Sequence, residues 1–322
     1  EIPGEGNSGW HRHPAGDSST NDISGLPMPR LTRRAEETLS AYLFLLPTIC
    51  GLLFLTSGAV LFALSISLCR WDLFSSPEFV GLQNYTEVLR TGLFWTSLWN
   101  SVYFTIVGVP LGSILVPLVL ASLLNQRFRG TYLLRTLFFL PSVCSSVAIA
   151  LLWTWIFNAD YGLFNHILAW WGLPKLLWLQ NQTLAKPCIV LVMIWTGAGL
   201  TAVIYLAALQ NIPQDMYEAA DIDGATPLQS WRYVTIPLVS PTIFFMAVIG
   251  TIGYLQIFEQ AYVMTKGGPR NATLTISYYI FKNAFEYFRM GYASAIAFVL
   301  CFIVMILTWI QFRFERRWVH YG

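Results

Sequence analysis

The stretch Pro187-Cys-Ile-Val-Leu-Val-Met-Ile-Trp-Thr-Gly-Ala-Gly-Leu-Thr-Ala-Val-Ile-Tyr-Leu-Ala-Ala-Leu209 contains no charged side chain. At 1.5 Å per residue, about 20 such residues cross the hydrocarbon core of a bilayer as one helix. A surface helix of a soluble globule would show a polar face; this run shows none. Five further runs have the same character, at 39–68, 99–124, 136–157, 236–254 and 292–312. The expectation is an all-α polytopic membrane protein with six transmembrane helices. Pro47, Pro110, Pro117 and Pro141 fall inside these runs, where neighbouring helices can satisfy the carbonyls that proline frees.

Composition agrees across all 322 residues. Hydrophobic residues make up 55% and charged residues 11%, whereas soluble domains carry about 25% charge. An ordinary soluble protein and a charge-rich disordered chain are both excluded. The net charge of +2 excludes a nucleic-acid binder with a broad basic surface. The five cysteines sit in or beside apolar runs with no CxxC or Cys/His cluster, a pattern of packed free thiols.

The lysines and arginines at the helix ends set an orientation. Arg30, Arg33 and Arg34 precede the first run, Arg127, Arg129 and Arg135 fall between the second and third, and Arg313, Arg316 and Arg317 follow the sixth. With six spans these groups share one side. Both termini and the 2–3 and 4–5 links are therefore expected in the cytoplasm, and the 1–2, 3–4 and 5–6 links outside. Residues 1–30, rich in Gly, Ser, Pro, Asn and Asp, are expected to be a disordered cytoplasmic tail ahead of a membrane domain over 31–322. The first residue is Glu1 rather than Met, so the natural start is expected upstream. The 3–4 link, with Trp170, Trp171 and Trp178, is apolar but too broken to span and suits the outer interface; its lone His166 has no partner that would make it a ligand.

One cytoplasmic link, 211–237, is more than a connector. Pro213 followed by Asp215 and Glu218 is a helix-start signal. Met216, Ala219, Ala220 and Asp223 recur at spacings of three and four and share one smooth face. Gly224 breaks the helix, and Thr226-Pro227 can start a second. Small residues permit close approach by a partner surface, and Glu218 offers it a fixed anion. A plain connector with a surface ion pair reads almost as well on physical grounds alone.

The run Glu218-Ala219-Ala220, three residues, Gly224, nine residues, Val234-Thr235-Ile236-Pro237 resembles the EAA loop of ABC-importer permeases in every spacing. Leu206-Ala-Ala-Leu-Gln-Asn-Ile-Pro213, Tyr217-Glu-Ala-Ala-Asp-Ile-Asp-Gly-Ala225, Arg135-Thr-Leu-Phe-Phe-Leu-Pro141, Gly267-Gly-Pro269 with Thr273, and Gly291-Tyr-Ala-Ser-Ala295 resemble the carbohydrate-uptake branch, the relatives of the maltose and glycerol-phosphate importers. The resemblance covers roughly 39–315.

It implies the type I importer permease fold, with its core at 96–315, in the bacterial plasma (inner) membrane. The implied partners are a second homologous permease, two ATPase subunits, an extracytoplasmic solute-binding protein, a sugar-like solute and membrane lipid. The chain has no GxxxxGK[ST] run, so it is not itself an enzyme; it needs no cofactor, and ATP and Mg are held by the ATPases. Glu218, Ala219, Ala220, Asp223, Gly224 and Pro237 are the implied ATPase-coupling residues. Carried over along the gapless stretch from Trp195 to Pro237, the maltose-type contacts fall on Met193, Thr196, Gly197 and Leu200, then Gly250, Tyr254 and Ile257. Only Thr196 and Tyr254 can hydrogen-bond through a side chain, which points to a solute other than maltose or to a site built mainly by the second permease. Tyr254 as packing is an equal reading. An ion-coupled secondary transporter is the alternative, but no half-to-half repeat stands out; a membrane enzyme would need a catalytic cluster, and His11, His13, His166 and His320 are scattered.

Overall fold

The structure, a computed structural model, describes residues 33–126, 130–316 and 319. The tail expected over 1–30 and the arginines Arg30, Arg127, Arg129 and Arg317 lie outside the described residues. Contacts divide the chain into two units, Glu1–Ala59 and Val60–Gly322. In the first, Arg33–Cys50 is α-helical with Pro47 inside it, and Gly51–Ser57 forms π-helical turns.

Among the described residues five helical runs are long and apolar enough to cross a membrane: Ser40–Ser67, Gly92–Leu124, Ala185–Gln210, Pro227–Leu255 and Met290–Glu315. They are the first, second, fourth, fifth and sixth spans. The third hydrophobic run departs from the straight helix expected over 136–157. It is two helices, Thr131–Val143 and Ser146–Ile156, bent by 101°. Pro141 removes a helical N–H near the break, and Cys144 turns extended (φ −76°, ψ 155°). Side chains take up the freed carbonyls there: Ser142 Oγ donates to Phe139 O at 2.7 Å, and Cys144 Sγ to Leu140 O at 3.4 Å.

Two other prolines are accommodated in the same way. Pro117 cannot donate to the carbonyl of Ser113, and the hydroxyl of Tyr205 in the fourth span donates to it instead at 2.9 Å. Pro241 cannot donate to Pro237 O, and Ser240 Oγ does so at 2.6 Å. Where a stretch widens into π-helical turns, at Val109–Leu115, the second span carries Pro110, Gly112 and Ser113 together.

The second span is the hub of the larger unit. Phe104 joins Trp153, Phe157 and Ile189 in one core cluster. Phe94 joins Leu255, Ile276 and Ile296 in a second, and Leu118 joins Tyr205, Val239 and Ile243 in a third. Helices come closest where side chains vanish. Gly250 leaves room for Ser113 Oγ, and a Cβ on Gly199 would collide with the backbone of Phe138. Tyr254, 8% exposed, lays its ring over Gly108 and points its hydroxyl at Gly112.

Two of these contacts can be told apart by substitution. A Cβ on Gly108 would collide with ring carbons of Tyr254, whereas one on Gly112 would collide with its hydroxyl, the next atoms standing at 3.1 Å. Gly108→Ala and Gly112→Ala should each destabilise the protein by about 1–3 kcal/mol. Tyr254→Phe should rescue Gly112→Ala and leave Gly108→Ala unrescued. Thermal midpoints of the four variants in detergent check this; equal rescue of both would exclude the arrangement.

Candidate functional site

The link between the fourth and fifth spans is a helix, a turn and a second helix that runs straight into the membrane. Gln214–Ile222 starts after Pro213, with Asp215 in the first turn, where an acid favours the helix dipole. It ends on Gly224 at φ +77°, a conformation that suits glycine. Ala225 N–H donates to Ala220 O and Gly224 N–H to Asp221 O, both at 3.0 Å. This is the Schellman closure, with Asp223 as the last half-helical residue. Thr226 then begins Pro227–Ser230 with a reciprocal capping box to Gln229. The helix passes through π-helical turns at Trp231–Thr235 into Ile236–Leu255, so the fifth span begins at Pro227 rather than at 236.

No residue of Gln214–Ile222 is buried. Met216, Ile222, Leu228 and Tyr233 are all exposed apolar side chains, Ile222 at 87%. Ala219 is exposed and Ala220 half-buried, so a partner backbone can come close along this face. Glu218 accepts one hydrogen bond, from Gln214 Nε2 at 3.0 Å, and has no ion pair among the described residues. The same holds of the ion pairing of Asp215, Asp221 and Asp223. The link therefore presents apolar side chains and unneutralised carboxylates together.

What holds it in place is polar and was not evident from the motif. The hydroxyl of Tyr217 meets Thr235 Oγ1 at 3.0 Å, tying the exposed helix to the base of the fifth span. Trp231 Nε1 donates to Ser122 Oγ at 3.2 Å, tying the turn to the end of the second span. Pro237, half-buried, sits in the first turn of Ile236–Leu255 just behind Thr235. Tyr217 and Trp231 lie inside the quoted motif, but nothing in their spacing identified their partners across the chain.

The residues carried over for the solute pathway fall into two groups. Thr196, Gly197 and Leu200 lie on one side of the fourth span. Thr196 donates to Val192 O at 2.8 Å, Gly197 faces open space, and Leu200 is 50% exposed. Gly250 and Tyr254 are instead packed against the second span, and Ile257, 4% exposed, belongs to the cluster around Phe157. Met193, carried over with the first group, packs against that same cluster and so joins the fourth span to Ile257. Gln256 and Glu259 are exposed at the end of the fifth span.

The Gly267-Gly268-Pro269 stretch is a closed turn with a cis Gly268–Pro269 bond. Thr273, fully buried, donates to Gly268 O at 2.8 Å and meets Thr265 Oγ1 at 2.6 Å. Asn100 of the second span donates to Asn271 O and Leu274 O, both at 2.8 Å. Asn100 was missed by the sequence reading; a lone amide in an apolar run was the available signal.

A family model described as "Binding-protein-dependent transport system inner membrane component" matches residues 108–320. A probable ABC transporter permease protein of Bacillus subtilis, YesP, is 40% identical over 292 residues, covering 89% of this chain and 93% of that protein. The trehalose/maltose transport system permease protein MalF of Thermococcus litoralis is 36% identical over 286 residues, covering 87% and 95%. Among solved structures, a chain of a bacterial alginate ABC transporter, crystallised with its alginate pentasaccharide-bound periplasmic protein, superimposes with a TM-score of 0.80. It is 23% identical and covers 91% of this chain and 99% of that one, a likeness of fold.

The clamp behind the exposed helix is open to test. Losing the Tyr217–Thr235 hydrogen bond should cost about 1 kcal/mol locally, or about a fivefold rise in opening. Amide exchange across 214–222 should therefore speed up about fivefold in Tyr217→Phe. Unchanged exchange would show that the hydrogen bond does not fix the helix.

Proposed function

The chain belongs to the family of binding-protein-dependent transport system inner membrane components, and from that premise we propose that it conducts a sugar, or a related polyol or glycoside, through a pathway shared with a second permease. It is a transport permease subunit of an ABC importer and a multi-pass inner-membrane protein. The sugar-type solute is supported by the 36% identity to a trehalose/maltose permease across most of both chains. It is supported too by the third-helix and Gly-Gly-Pro wording of the sequence.

The observation that carries the coupling role is the exposed helix Gln214–Ile222 with its unpaired Glu218. We read it as the element that docks in a cleft of an ATPase subunit. Glu218 pairs with a basic side chain there, Ala219 and Ala220 let the surfaces approach, and Gly224 makes the turn that Asp223 precedes. Pro237 marks where the link becomes membrane helix. ATP and Mg are held by the two ATPase subunits, because this chain has no phosphate-binding loop. Closure of the ATPases works by binding one permease conformation better than the other.

With Arg135 and Arg313 at the same side as this link, both termini are read as cytoplasmic and the 1–2, 3–4 and 5–6 links as facing the solute-binding protein. The open face at Thr196, Gly197 and Leu200 is where the second permease completes the pathway, with Gly250, Tyr254 and Ile257 shaping it from behind.

Glu218→Lys should abolish uptake while leaving the protein inserted and folded. Gly224→Pro should do the same, because proline cannot adopt φ +77°. Solute-stimulated ATPase activity of the reconstituted importer reads the coupling directly, and normal stimulation in both variants would sink the docking assignment. Uptake kinetics of Thr196→Val and Tyr254→Phe test the pathway. A raised KM for either is the expected result, and unchanged affinity in both would remove these residues from it.

A further inference from the structure

A cavity of about 200 Å³ lies where the link after the first span meets the start of the sixth. Its floor is Asn84 and Tyr292, 6% and 2% exposed. Asn84 gives both amide hydrogens to carbonyls, Ser67 O at 2.8 Å and Cys69 O at 2.9 Å. Its Oδ1 is left with no partner among the described residues, an acceptor on a residue that lines the cavity. The Tyr292 hydroxyl is already engaged, donating to Thr91 Oγ1 at 3.2 Å.

The walls carry two cations, Arg70 and Arg289, and with Glu78 three acids. Arg289 Nη2 stands 2.6 Å from Glu87 Oε1, its guanidinium 4.3 Å over the Tyr292 ring. Arg70 Nη1 is 3.6 Å from Glu78, and its Nη2 donates to Gln83 Oε1 at 3.4 Å. Asp72 Oδ1 accepts from Ser75 Oγ, from Ser75 N–H and from Phe74 N–H. The Ser75 hydroxyl and N–H hold the Asp72 carboxyl below the usual carboxylate range. Each cation thus has its acid, so no positive charge is left uncompensated for an anionic ligand, and the third acid, Asp72, is held by neutral donors from Ser75 and Phe74.

What stays available is the Asn84 acceptor, the second oxygens of Asp72 and Glu87, unused guanidinium N–H groups, and the ring surface that Trp71 and Phe288 keep beside their contacts with Phe62 and Phe74. Alternating donors and acceptors beside aromatic faces suit a ring that is polar at its edge and apolar on its C–H faces. The walls are preset: Met290 N–H donates to Trp71 O at 3.0 Å. Leu73 and Phe288 sit at φ 72° and 53°, a region non-glycine residues occupy only when the surroundings impose it.

We propose that this cavity binds one neutral hexose unit on the outer face of the permease, apart from the pathway residues Thr196, Gly197 and Leu200. Vicinal hydroxyls bridge the Glu87–Arg289 pair, a third meets Asn84 Oδ1, and the ring lies against Trp71. Its volume admits one ring and not a chain of them. The outer placement rests on the orientation proposed above; the binding itself does not.

The test uses the full chain in lipid nanodiscs, with methyl α-glucoside, methyl β-galactoside and glucuronate as probes and saturation-transfer NMR titration as the readout. Saturable binding of at least one neutral glycoside is expected, with glucuronate at least tenfold weaker. Trp71→Ala should lose the neutral signal at least tenfold, while Trp170→Ala, at an exposed tryptophan of the 3–4 link, keeps it. Glu87→Gln frees Arg289 and should close or invert the gap in favour of glucuronate, a change of selectivity that loss of packing alone would not give. The proposal is overturned if neither neutral glycoside saturates the wild type, if glucuronate binds it as well as they do, or if Glu87→Gln leaves the selectivity unchanged. Sugar uptake by the assembled importer is scored separately: transport without binding here overturns the cavity alone, and binding here without sugar transport overturns the solute reading alone.

Discussion

A buried backbone carbonyl has no water to bond, so where the chain leaves a helix inside the protein some side chain must take water's place. In this protein three buried asparagines do so. Asn84 bonds Ser67 O and Cys69 O behind the first span. Asn100 bonds Asn271 O and Leu274 O ahead of the last. Asn165 donates to Ala159 O and Leu176 O and accepts from Leu176 N–H and Trp178 Nε1 in the 3–4 link. Their exposures are 6%, 4% and 3%. A carboxamide offers two donors and an acceptor without charge, which lets one residue close a loop at low dielectric. In the orientation proposed above, all three serve links on the outer side.

The link between the fourth and fifth spans is built differently. Its backbone satisfies itself, through the Schellman closure at Gly224 and the capping box at Thr226. The side chains are thereby released from structural duty, and Glu218, Met216 and Ile222 are left exposed. The docking proposed for this link needs that freedom. It also needs a fixed position, which the Tyr217–Thr235 and Trp231–Ser122 hydrogen bonds supply from behind.

The parts legible in the sequence were those with a local cause. Runs without charge gave the spans, and Pro213, Gly224 and Thr226-Pro227 gave the helix–turn–helix of the link, because each acts on its own backbone. The 101° break in the third run was not legible: Pro141 also occurs in continuous helices, and the break shows only where Cys144 turns extended. The partners of Asn100, Tyr205 and Tyr217 lie 171, 92 and 18 residues away in sequence, so no window could reveal them. For the pathway, the carried-over positions named residues but not the surface each one faces, and Tyr254 shows the difference: its ring is taken up by Gly108 and Gly112.

That contact bears on how movement at the exposed link reaches the rest of the protein. The fifth span is continuous with the link through Trp231–Thr235. At its far end Tyr254 and Gly250 fit the second span without slack, and at its near end Trp231 bonds Ser122 of that same span. Close-packed interfaces shift as bodies rather than deform continuously. If the link docks as proposed, the second and fifth spans, joined at both ends, would be displaced together. The fourth span, joined to the second by the Tyr205–Ser113 hydrogen bond and to the third by the close approach of Gly199 to Phe138, is held to them along its buried side alone. Its opposite face, with Gly197 and Leu200 exposed, is where the second permease proposed above would meet such a movement.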